Sequence, residues 1–171
     1  MRIRKVKVTK EKRISMAYEV PNKKGSWDEF TFVCSDEPRQ EFFTALAVLA
    51  EHVIEMCELP AAYLEKIKVR GVSFSFGGEN DTMGATISAS MVLINSHPDL
   101  NINTPHKAVE MYNPETPEDD MQLLSGECIE ALSELITECE AYIKGERAQG
   151  SLFPVEEQIA EVDSTAIGIV N

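Results

Sequence analysis

The chain lacks any long apolar run: its longest uninterrupted one is Ala45 to Ala50 in 171 residues, far below the roughly 20 that a membrane-crossing helix needs. No transmembrane helix and no membrane partner are therefore expected. Only three histidines are present, which leaves little material for imidazole catalysis. HExxH, GxSxG and an Asp-rich calcium loop are all missing, so three common routes to catalysis or metal binding have no motif to rest on. The pair Gly77-Gly78 is not followed by Lys-Ser/Thr, and a hairpin turn accounts for it better than a phosphate loop does. Cys34, Cys57, Cys128 and Cys139 show neither CxxC nor Cys/His ligand spacing. They read as buried reduced thiols, with no metal and no cofactor expected. After Arg2, Arg4, Lys5 and Lys7 no apolar stretch with a small-residue cleavage site follows, so secretion by a signal peptide is not expected either.

What is present is an ordinary globular composition, with 43% apolar and 26% charged residues, in a length that suits one domain. The charge is unevenly placed. Residues 1 to 24 hold nine Lys or Arg against Glu11 and Glu19, net +7, whereas the rest of the chain is net -20, for a total of -13. Such asymmetry marks one end as an interaction surface, while the acidic bulk repels nucleic acid at long range.

Periodicity supplies the fold. Ile3 to Val8 and Arg13 to Val20 alternate apolar with polar residues around Thr9 to Lys12, which predicts a hairpin with one core face and one basic face. Trp27 to Cys34 predicts a third strand, with Phe30, Phe32 and Cys34 on one face. A helix is predicted from about Pro38 to Leu59, capped by Ser35 or Asp36, since Phe42, Leu46, Leu49 and Val53 recur at three- and four-residue intervals. After Pro60 the period returns to two, through Val72, Phe74 and Phe76 and then Met83, Ala85, Ile87, Ala89 and Met91, a second hairpin. Residues 97 to 113 read mostly as loop, with Lys107 to Tyr112 an edge strand. A second helix, announced at Thr116 and Pro117 and strengthened at Ser125, carries the stripe Leu124, Cys128, Leu132, Leu135, Cys139 and Tyr142 and stops near Gly145. Its Glu127, Glu130, Glu134 and Glu138 predict an acidic, solvated face.

The expectation is an α+β domain over residues 1–145: an antiparallel sheet of five or six strands with two long helices packed on one face, in the order βββα-ββ(β)α. Residues 146–171, acidic and rich in small side chains, are expected to form a flexible C-terminal tail.

Few residues invite a catalytic reading, and an enzyme is not expected. His52 lies among Glu51 and Glu55 on a helix, where a surface or satisfied histidine is the ordinary explanation. His97 with Asp99 is the one acid-histidine cluster, and His106 lies in the same loop region. Lys5, Lys7, Lys10, Lys12 and Arg13 form a candidate nucleic-acid-binding set, since positive charge at strand spacing can follow a phosphate backbone. Lysines on an edge hairpin are also a common guard against strand aggregation. No aromatic alternates with them, so any such binding would be weak and indifferent to sequence.

The most informative residues are Gln149-Gly150-Ser151-Leu152-Phe153. They resemble the QxxLF peptide by which bacterial and phage proteins dock on the bacterial sliding clamp, the ring that tethers polymerases to DNA. A glutamine amide can fix orientation by hydrogen bonds while Leu and Phe enter an apolar cleft from an extended peptide. A wider resemblance runs with it: Phe76 to Thr86, Asn101 to Lys107 and Gly145 to Phe153 are similar to a family of small proteins of tailed phages and prophages, from which no activity carries over. The resemblance implies a phage accessory protein of DNA replication or recombination, working in the host bacterial cytoplasm with the sliding clamp as partner through Gln149, Leu152 and Phe153. The alternative is an anti-defence or DNA-mimic protein that captures a host factor with its acidic surface.

Overall fold

A computed structural model describes residues 1–110 and 122–148. Among the described residues seven strands and two α-helices follow one another as β1 (Arg2–Val8), β2 (Ile14–Pro21), β3 (Trp27–Cys34), α1 (Gln40–Met56), β4 (Ile67–Gly77), β5 (Thr82–Met91), β6 (Leu100–Asn103), β7 (Lys107–Ala108) and α2 (Gly126–Ile143), with a 3-10 segment at Ala61–Lys66. The sheet is antiparallel with the order β3-β2-β1-β4-β5-β6, and the short β7 also pairs with β5. This is the expected α+β class. Two meanders are joined edge to edge through β1 and β4, and α1 carries the chain from the outermost strand back to the middle.

Alternation decides which side of the sheet the helices cover. Phe32, Met16, Val6, Val72 and Ile87 stand opposite one another in a single row across five strands. Their neighbours along each strand, Ala17, Lys5, Ser73 and Thr86, point to the other side. The apolar row meets Phe42, Leu46, Leu49 and Val53 of α1 and Leu132, Leu135 and Cys139 of α2, all buried in one cluster. Both helices thus lie on one face, and the opposite face carries no helix among the described residues.

Three local expectations are corrected. The α1 N-cap is Arg39, without a side-chain cap, rather than Ser35 or Asp36; Asp36 and Glu37 are occupied instead by bonds to the far end of α2. Leu100–Asn103, read from sequence as loop, is the edge strand β6, and the strand expected over Lys107 to Tyr112 is only two residues long within the described part. Contacts also run past Gly145. Ala148 donates its N–H to the Glu37 carbonyl at 3.0 Å, the Tyr142 hydroxyl donates to the Asp36 carbonyl at 2.6 Å, and the Arg147 guanidinium sits 3.7 Å over the Tyr142 ring. Arg39 holds the Glu138 carboxylate with Nη2 donating to Oε1 at 2.8 Å and Nε donating to Oε2 at 3.3 Å, and it also pairs with Glu146. A double guanidinium clamp therefore fastens the start of α1 to the end of α2.

Candidate functional site

A groove of about 780 Å³ crosses the uncovered face of the sheet from β1 through β4 and β5 to β6. Two bulges shape it. Along β1 the register shifts between Ile3 and Lys5, and along β4 between Val69 and Gly71, so Arg4 and Arg70 are the extra residues that a bulge re-aims. The β4 bulge depends on Gly71. A Cβ there would lie 2.2 Å from the Val6 carbonyl oxygen, so only glycine lets β4 approach β1 this closely.

Opposite ends of the groove differ in chemistry. Lys5, Lys7 and Lys10 line it from β1 and the turn beyond, and Arg70 lines it from β4. The Arg70 Nε–H donates to Ser90 Oγ at 3.0 Å, and Ser90 is only 4% exposed. A buried hydroxyl thus orients the guanidinium and leaves its outer nitrogens toward the groove. Among the described residues none of these four cations has a carboxylate within ion-pair distance, whereas Arg2 pairs with Asp81 and Arg4 with Glu19. At the β5–β6 end the lining is Ser88, Ser90, Asn101 and Asn103, with Asp99 beside them. Ser88 Oγ donates to Asn103 Oδ1 at 2.7 Å, which turns the Asn103 amide nitrogen outward as a donor.

The sequence-derived cationic set is divided by the structure. Lys5, Lys7 and Lys10 enter the groove. Lys12 and Arg13 do not; they belong to the β1–β2 turn, where Lys12 has a φ of 59° and the Arg13 N–H bonds Thr9 Oγ1. Arg70, which sequence inspection passed over, completes the cationic end, and the single cue available was a charged residue beside glycine in a strand pattern. Gln149, Leu152 and Phe153 lie outside the described residues.

The histidine cluster is divided as well. Asp99 lines the groove but neither His97 nor His106 does. His106 instead places Nε2 2.7 Å from Ser75 Oγ, over Gly84, where a Cβ would lie 2.3 Å from that nitrogen. Hydroxyl and ring are at the distance of a nucleophile and its base. No described residue hydrogen-bonds the other ring nitrogen, so nothing described orients the ring further. His52 is buried at 7% exposure, with Nδ1 3.8 Å from Glu55. Burial pushes the Cys128 thiol up to about 11 and Cys139 higher still, with nearby glutamates adding to both. These are inert core thiols. Among the described residues no three His, Cys, Asp or Glu side chains converge as a metal site requires, and no helix is long and apolar enough to cross a membrane.

No protein family, curated protein or solved structure matches the chain.

Proposed function

We propose that this protein is an accessory factor of a tailed phage or prophage that docks on the bacterial sliding clamp through Gln149, Leu152 and Phe153. The observation that carries the reading is the peptide Gln149-Gly150-Ser151-Leu152-Phe153, which begins immediately after Ala148, a residue bonded to Glu37 in the clamped corner of the domain. The last described residue before the peptide is thus anchored where α1 begins and α2 ends, beside the segment that leaves the edge strand β3. Burying Leu152 and Phe153 contributes on the order of 3 to 6 kcal/mol of apolar gain, and Gln149 adds about 1 kcal/mol by hydrogen bonding, before ordering and association costs. Binding near the micromolar scale, about -8 kcal/mol, also requires backbone contacts.

Calorimetry of the full chain against a purified bacterial clamp tests the proposal. Wild type should bind with a dissociation constant of tens of micromolar or tighter, and Leu152→Ala with Phe153→Ala should abolish binding with an unchanged melting temperature. Absence of binding by wild type at about 100 μM, or equal binding by the double variant, refutes it. A protein that works through its acidic surface would keep its partner in that double variant.

A further inference from the structure

Outside the proposed clamp peptide, the groove on the open sheet face has the composition of a ligand site. Its volume of about 780 Å³ falls within the range usual for small-molecule sites, roughly 300 to 1,000 Å³. Lys5 and Lys7 sit two residues apart on the same side of β1, and Arg70 reaches the same groove from β4. Gathering like charges without a carboxylate partner is unfavourable unless an anion neutralises them. The protein has 29 acidic residues; Asp81, Glu19, Glu138 and Asp36 pair with Arg2, Arg4, Arg39 and Arg147, whereas the one carboxylate lining the groove among the described residues, Asp99, pairs with none of its cations. Arg70 is moreover held by buried Ser90, which presents the remaining guanidinium N–H donors in a fixed fork, the geometry that suits phosphate oxygens.

The far end narrows the ligand class. Ser88, Asn101 and Asn103 offer neutral donors and acceptors, and Asp99 accepts hydrogen bonds from hydroxyls while repelling a second anion. A long polyanion would run from the lysines into Asp99 and the acidic body, and the groove lining contains no aromatic side chain on which bases could stack. We infer that the groove binds a small phosphate monoester of a hydroxyl-rich molecule, its phosphate between Lys5, Lys7 and Arg70 and its hydroxyls against Asn101, Asn103 and Asp99. A sugar phosphate and a mononucleotide share this chemistry.

The experiment is calorimetry on the full chain at physiological salt with inorganic phosphate, ribose 5-phosphate, adenosine 5′-monophosphate and an oligothymidylate as probes. At least one of the two esters should bind about tenfold more tightly than inorganic phosphate; whichever is tighter identifies the source as sugar phosphate or nucleotide. Arg70→Ala should weaken that ester about tenfold or more. Lys5→Gln with Lys7→Gln, both at exposed positions, should do the same with the melting temperature unchanged, which keeps the test independent of any folding defect from freeing Ser90. Asn101→Ala should weaken the ester and leave inorganic phosphate unaffected. The inference is overturned if neither ester binds at about 5 mM, if inorganic phosphate binds as tightly as both esters, if the oligothymidylate outcompetes them, or if the double glutamine variant binds as wild type does.

Discussion

Cys128 and Cys139 face into the apolar cluster from the same helix that carries the acidic residues of the opposite stripe. Desolvation penalises their thiolates, so each contributes stability only while neutral. For Cys128 the ordinary value of 9 rises to about 11, and a group whose value is raised on folding holds its full contribution below the unfolded value. That contribution is present below pH 9 and lost as the pH climbs to about 11, on the order of 3 kcal/mol across the interval. Urea unfolding across this window should show stability falling with pH, and Cys128→Ala should make the decline shallower. A thiol reagent at neutral pH should modify the half-buried Cys34 and Cys57 in the native protein, but Cys128 and Cys139 only on unfolding. Rapid native labelling of all four would contradict the packing described above.

At the scale of elements, the two helices end in different ways, and sequence showed one of them. Ser125 caps α2, its Oγ accepting from the Cys128 N–H at 3.2 Å, as the hydroxyl just before an apolar stripe predicts. The helix α1 closes with Glu58 at a φ of 53°, while Glu58 N–H bonds the Glu55 carbonyl and Leu59 N–H the Ile54 carbonyl. That is a left-handed C-terminal cap with glutamate where glycine is the usual choice. Glu58→Gly should raise stability by about 0.5 to 1 kcal/mol and Ser125→Ala should lower it by about 1 kcal/mol, both measurable by chemical denaturation. The start of α1 was not legible because its Arg39 bonds to Glu138 and Glu146, on the far side of the chain in sequence. Strand β6 was not legible because Leu100–Asn103 holds two asparagines in four residues, a weak strand pattern by itself; it forms because β5 offers an edge for it to pair with. The groove was half visible. Lys5 and Lys7 alternate plainly in β1, whereas Arg70 joins them only through a bulge, and a bulge leaves no periodic trace.

Across the whole molecule, charge and apolar surface are sorted onto separate regions. One sheet face packs against both helices, the other holds the cationic groove, and the outer helix surface exposes Glu127, Glu130 and Glu134. The fold stands on the first of these. Leu132 is fully buried and Phe74 is 4% exposed, so truncating either to Ala should cost on the order of 2 to 5 kcal/mol in denaturant titration. An unchanged midpoint in both variants would mean that the helices do not seal that face. The alternation of β1, β2, β4 and β5 made this arrangement readable from sequence, since a period of two assigns each side chain to one side of a sheet.

The double guanidinium clamp also makes Ala148 a mechanical anchorage. Tension applied to the chain beyond this residue enters the domain through the bond to Glu37 and through Arg147 on Asp36 and Tyr142. Arg39 then passes the load between α1 and α2 through Glu138 and Glu146. A helix held only by its own hydrogen bonds would peel from its end one turn at a time. Here the two helices resist together, so a partner that pulls on the C-terminal segment hauls the whole domain as a rigid load.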